Sequence, residues 1–193
     1  AITLEDMISL KGERFFEVYN GHQLVRNYGD SAHLGTEEMW DKINIAYAER
    51  NQPVMNGLAT DDSHNYHQFG LAFANAGRGW IMVQAESLQA EALIEAMEAG
   101  KFYASTGVTL KKLYVKNNEI NIEIAEAEGI KYTIEFIGVK KGENESQVIE
   151  TIRGSVGSFK VTADYVFVRA RISSTKLKSN PFEEGDFEMA WTQ

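Results

Sequence analysis

The chain has 193 residues, 44% hydrophobic and 24% charged, enough for one generous globular domain or two small ones. Its 19 basic and 28 acidic residues leave a net charge of −9 with no basic stripe, which argues against nucleic-acid binding through phosphate neutralisation. There is no cysteine, which excludes disulfides, thiolate zinc sites and cysteine nucleophiles together, and no apolar run approaches the ~20 residues of a membrane span.

The sequence opens at Ala1 and runs at once into Thr3-Leu4-Glu5-Asp6, a helix-cap pattern, so it reads as cut from something longer. A short helix through Leu10, stopped by Gly12, precedes a dense aromatic and β-branched run, Arg14 to Tyr19, that reads as a buried strand ending near Asn20. Gly21 to Gly35 is a polar, glycine-punctuated loop carrying His22, Arg26, Asp30 and His33, the length of a lid or binding loop. Thr36 is placed to cap a helix whose first turn holds Glu37 and Glu38, favourable at the positive end of the dipole. Trp40, Ile43, Ala46 and Tyr47 form its apolar stripe. Val54–Ala59 and Gly79–Ala85 read as further strands, and Ser87 as the cap of a helix that Gly100 ends. This order predicts a partly parallel sheet with crossover helices. The three or four visible strands are too few to stand alone, so the expectation is a fragment of a larger α/β barrel, or a sheet completed by another part of the molecule.

From Thr109 the helical period disappears. Ile120, Ile122 and Ile124 alternate with polar residues, as do Ile130, Tyr132, Ile134 and Phe136, and then Val166, Val168, Ala170 and Ile172. Turn signals at Asn117-Asn118, Glu128-Gly129, Lys141-Gly142 and Arg153-Gly154 separate them, which predicts an antiparallel sandwich of immunoglobulin-like type. The boundary falls between Gly107 and Lys112, dividing the chain into 1–108 and 109–193.

The densest chemistry is Gly57-Leu58-Ala59-Thr60-Asp61-Asp62-Ser63-His64-Asn65-Tyr66-His67, directly after an apolar strand. Loops at the C-terminal ends of strands carry the chemistry of α/β enzymes because they vary without disturbing the sheet. Asp62 and His64 stand two apart, and strand-like geometry would point both at one metal ion. The plainer reading of the bare pattern is a polar turn with solvated charges.

A set of motifs in order changes that balance. Glu17-Val18-Tyr19-Asn20, the run Gly57 to His64, Gly79-Trp80-Ile81-Met82-Val83, Ala99 to Gly107 and the terminal Ala190-Trp191-Thr192-Gln193 together resemble the C-terminal part of the polymerase-and-histidinol-phosphatase (PHP) family of metal-dependent phosphoesterases. The subgroup it looks most like includes carbamate hydrolases and carries a β-sandwich behind the barrel. The resemblance implies the C-terminal portion of a (β/α)7 barrel followed by that sandwich. It also implies two or three divalent metals (Zn, Mn or Fe) held at the strand ends, and a small phosphoester or related ester as substrate. Of the family's ligands only the late Asp-x-His can be placed, on Asp62 and His64; there is no His-x-His and no His-Pro. The chain would thus supply two ligands of roughly six, too few to retain metals tightly. Strands carrying the rest are implied upstream, and the partners implied are that upstream barrel segment or a second copy of the chain.

On this resemblance His64 ligates as neutral imidazole, and Asp62 ligates and orients or deprotonates the metal-bound water. Asp61, facing the other way along a strand, is a hydrogen-bonding support or a turn residue. Glu17 and Asn20 close the preceding strand and either line the pocket or serve as an ion-paired carboxylate and a turn asparagine. His67 lies one helical turn past His64, and Arg78 is a cation for a phosphoryl oxygen or a surface arginine in a Gly-Arg-Gly turn. His22 and His33 read as exposed loop histidines. Two other functions stand beside the hydrolase: a binding module whose sandwich aromatics Tyr114, Phe159, Tyr165 and Phe167 contact a sugar or a protein, and a barrel that has lost catalysis and only scaffolds.

Overall fold

The computed structural model describes residues 2–193. Thr3 caps helix α1 (Leu4–Ser9) through a reciprocal box with Asp6. Strand β1 (Phe15–Asn20), helix α2 (Thr36–Glu49) and strand β2 (Asn56–Thr60) then form a βαβ unit, with β1 and β2 parallel and Asn20 opposite Thr60. Gly35 rather than Thr36 occupies the N-cap of α2; the Thr36 hydroxyl instead donates to the Val18 carbonyl at 2.6 Å, tying the helix to β1.

The remaining strands are β3 (Trp80–Val83), β4 (Phe102–Ser105), β5 (Leu110–Lys116), β6 (Glu119–Ile124), β7 (Tyr132–Lys140), β8 (Gln147–Arg153), β9 (Val156–Lys160), β10 (Tyr165–Leu177) and β11 (Phe187–Thr192). Helix α3 (Ala90–Glu98) joins β3 to β4, starting after Gln89 rather than Ser87. Two antiparallel sheets result, a six-stranded one in the order β3-β4-β11-β10-β7-β8 and a three-stranded one in the order β5-β6-β9. They share an apolar core in which Ile120, Ile122 and Ile124 meet Ile134, Phe136, Ala170 and Ile172, a sandwich-like arrangement.

The expected (β/α)7 barrel portion is absent among the described residues. The parallel part is the single pair β1–β2; of the next two strands, β4 joins β11 antiparallel and β3 joins β4 antiparallel. The reason is legible in β4, all four residues of which are buried. Ala104 packs with Tyr19 and Trp191 on one face, while Tyr103 enters the sandwich core on the other. A strand apolar on both faces looks the same in a parallel barrel and in the centre of a mixed fold, because periodicity carries no information on the direction of the partner. The six-stranded sheet accordingly draws strands from both sides of residue 108.

On the free edge of β2, Gly57 pairs with the Gln193 side chain. Its Oε1 accepts from Gly57 N at 2.6 Å and its Nε2 donates to Gly57 O at 3.0 Å, so one amide mimics a ladder partner. Behind β2, Trp40 lies against Gly57 so closely that a Cβ there would sit 2.9 Å from the ring, which explains the glycine.

Candidate functional site

The C-terminal ends of β1 and β2 bring together Glu17, Asn20, His22, Thr60, Asp62 and His64. Because Asn20 and Thr60 are paired, His22 and Asp62 lie at the same offset beyond their strand ends. Asn20 is the hub. Its Nδ2 donates to Glu17 Oε2 at 3.0 Å and to Asp62 Oδ2 at 3.4 Å, and its Oδ1 accepts from His22 N at 2.8 Å. The hydroxyl of Thr60 donates to Glu17 Oε1 at 2.8 Å, so both oxygens of that carboxylate are engaged.

Strand geometry does not persist to Asp62, whose φ of +47° is left-handed. The turn, not an alternating strand, sets how Asp62 and His64 meet. His64 Nδ1 lies 2.7 Å from the Asp62 carbonyl oxygen and 3.7 Å from its Oδ1. A carbonyl can only accept, so this contact places the proton on Nδ1 and leaves the Nε2 lone pair free. His22 is fixed the other way: Leu24 N donates to its Nδ1 at 3.1 Å, so the neutral ring carries its proton on Nε2. The two rings meet edge to face, 5.5 Å between centroids. One imidazole therefore offers a lone pair and its neighbour an N–H.

Asp61 and Arg78 brace the loop that follows β2. Asp61 Oδ1 accepts from Arg78 N at 2.6 Å and Gly79 N at 2.9 Å. Arg78 is fully buried, and its Nη1 and Nη2 donate to the carbonyls of Gly21 and Gly70, both at 3.0 Å. Burial lowers its pKa, with Tyr19 and Asp61 opposing. Its two terminal nitrogens thus hold loop carbonyls, while its buried Nε has no hydrogen-bond partner among the described residues. Gly79 passes so close to β2 that a Cβ would lie 2.6 Å from Thr60 O. Replacing Asp61 by Ala should cost about 1.5–3 kcal/mol, because a charge-assisted acceptor for two backbone donors is lost; Asp61→Asn should keep much of this. Urea denaturation gives the values, and a loss under 0.5 kcal/mol in Asp61→Ala would remove the bracing role.

His67 is exposed on the same loop, and no hydrogen bond or ion pair joins it to the site among the described residues. His33 pairs with Asp30 at 2.8 Å, away from the strand ends. His22 is the residue that sequence reasoning undervalued; its equal offset with Asp62 becomes a signal only once β1 and β2 are known to be parallel and in register. Lys178 is a second such residue. It is buried, with Nζ 3.0 Å from the Tyr19 hydroxyl and 3.2 Å from Asp186 Oδ2, and stacks over the Tyr19 ring at 4.5 Å. Burial lowers its pKa against the pull of Asp186. Of the sandwich aromatics, Phe159 packs on Phe136 and Tyr165, whereas Tyr114 remains exposed.

Asp62 and His64 offer the carboxylate oxygen and imidazole nitrogen that zinc, manganese or iron accept. The number falls short: among the described residues no three His, Cys, Asp or Glu side chains are grouped to hold a metal. The donor set fits in kind and not in count. No helix among the described residues is long and apolar enough to cross a membrane. Comparison with protein families, curated proteins and solved structures finds no match for this chain.

Proposed function

We propose that the ends of β1 and β2 are part of a metal-dependent hydrolytic site, to which this chain contributes Asp62 and His64 while another segment or chain contributes the remaining ligands. The observation that carries the reading is the His64 contact with the Asp62 carbonyl, which leaves Nε2 free beside a carboxylate that Asn20 orients. An imidazole whose Nδ1–H is held by an oxygen and whose Nε2 is open is the usual disposition of a metal-ligating histidine. The order of sequence motifs that resembles the PHP phosphoesterases supports the same chemistry; the barrel of that family is not part of the proposal. A bound divalent ion would supply an activated water and an electrophile for a phosphoester or related ester. The chain's own residues hold and orient: Asn20 fixes the Asp62 carboxylate, and His22 Nε2–H is a donor for a substrate oxygen.

The test is calorimetric titration of the chain with manganese and with zinc, beside Asp62→Ala, His64→Ala and Asn20→Ala. Weak binding should vanish in the first two variants and weaken about tenfold in the third, where only an orienting hydrogen bond is lost. Aryl phosphate hydrolysis by the chain alone should be absent. Metal binding equal in all four proteins would refute the assignment. Sustained turnover lost in Asp62→Ala would instead show a complete site within these residues.

A further inference from the structure

We propose that the open side of the sandwich, between strands β3 and β5, binds a long-chain carboxylate, its alkyl tail between the two sheets and its anionic head at Lys101. The cleft there measures about 1170 Å³, somewhat above the range of small-molecule pockets. It exists because three strands face six: Leu110 and Leu113 of β5 still pack on the shared core, but Val115 beyond them and Met82 on β3 are left uncovered. Register places both on inward faces. Val115 lies opposite Ile120 and Leu113 opposite Ile122, and both isoleucines are buried in the shared core. Met82 lies opposite Tyr103, which enters the same core. Yet Val115 is 67% exposed and Met82 38%. Inward-facing apolar side chains with that much exposure line an interior that the chain itself does not fill.

Charge selects the occupant. Three lysines, Lys101, Lys111 and Lys112, and one carboxylate, Glu86, border the cleft of a chain whose net charge is −9. Lys111 and Lys112 are both held by Glu123 at 2.6 Å, whereas Lys101 has no ion-pair partner among the described residues. A partly apolar slot bordered by three lysines against one carboxylate, with Lys101 free of any ion pair among the described residues, matches a single-tailed monoanion. The free edges argue against an added strand: β5 carries Lys111, Lys112 and Lys116, the device by which edges repel further strands, and β3 is four residues long. A second copy would bring the same lysines face to face across a two-fold contact.

The probe is dodecanoate below its micellar concentration, titrated calorimetrically into the full chain, with dodecanol as the uncharged control. Saturable binding of dodecanoate is expected, at least tenfold weaker for dodecanol and at least tenfold weaker in Lys101→Glu and in Val115→Glu. Both replaced residues are exposed, so the variants should fold, which circular dichroism checks. Asp62→Ala should bind dodecanoate unchanged, separating this site from the strand-end site. No binding, binding insensitive to both cleft variants, or equal affinity for dodecanol would overturn the proposal. So would a dimer on size exclusion that Val115→Glu abolishes, which would give the cleft to a second copy.

Discussion

Replacing Arg169 with methionine should destabilise the protein by about 3–5 kcal/mol, the cost of stranding buried carboxylates without their cation. Arg169 sits on β10 and reaches across to α2. Its Nε and Nη2 form a fork on Asp41, both at 2.7 Å, its Nη1 lies 2.8 Å from Glu37 Oε1, and its guanidinium stacks over Trp40 at 5.0 Å. Arg171 adds a contact to Glu37 Oε2 at 3.2 Å, and Ser146 donates to Asp41 at 2.6 Å. This network is the polar seam between the βαβ unit and the six-stranded sheet. Replacing Asp41 and Glu37 with apolar residues in the same protein should recover much of the loss, because the penalty arises from the uncompensated charges rather than from the missing attraction. Denaturant unfolding with a linear extrapolation measures both, and a single-variant cost below 1 kcal/mol would contradict the account.

The same seam carries a pH dependence. Burial alone would raise the Glu37 pKa, but Arg169, Arg171 and the Trp191 indole N–H more than offset it and hold the carboxyl below its ordinary 4.5. A depressed folded-state value means the unfolded chain takes up the proton more readily. Glu37 therefore contributes stability in full above about pH 4.5, and loses it as pH falls through that value toward the folded pKa. In Glu37→Gln this acid-side contribution should disappear, so the difference in stability from the parent should shrink below pH 4.5. A difference that stays constant from pH 7 to pH 3 would exclude the linkage.

The second large effect is expected at Trp40, where substitution by alanine should cost about 3–5 kcal/mol. The indole is buried in the core shared by α2, β1 and β2, its ring fills the space over Gly57, and its Nε1 donates to Met55 O at 2.7 Å. That carbonyl keeps a second donor in Asn44 Nδ2 at 3.0 Å, so the loss is mainly one of packing. Trp40→Phe should accordingly retain more stability than Trp40→Ala. Because Arg169 rests on the same ring, the two substitutions should not add: a double variant should lose less than the sum by at least 0.5 kcal/mol, about the lower limit for residues in contact. Additive losses would mean that the cation and the ring are energetically independent.

The sequence by itself determined the local chemistry. Thr3 with Asp6 specifies a cap, the alternation Ile120-Ile122-Ile124 specifies an inward face, and Asp62 with His64 after an apolar run marks the loop where a turn brings those two residues into contact. Each of these depends on residues within a few positions of one another, so periodicity and turn chemistry suffice. From residue 109 onward the inward faces of β6, β7 and β10 were legible in the same way at Ile120, Ile122, Ile124, Ile134, Phe136, Val168, Ala170 and Ile172, whereas Val166 lies outside the shared core. Partners distant in sequence were not legible. That β4 pairs antiparallel with β11, and β3 with β4, in place of the expected barrel, depends on the distant Ala190-Trp191-Thr192 run, and β4 is buried on both faces whichever direction its partner takes. That the free edge of β2 is met at Gly57 by a side chain depends on Gln193, 136 residues away. His22 joined His64, and Lys178 joined Tyr19 across 159 residues, only through the packing of loops from different elements. Hydrogen-bond geometry at such separations has no trace in local spacing, so the tertiary structure alone decided which side chains share the strand-end site.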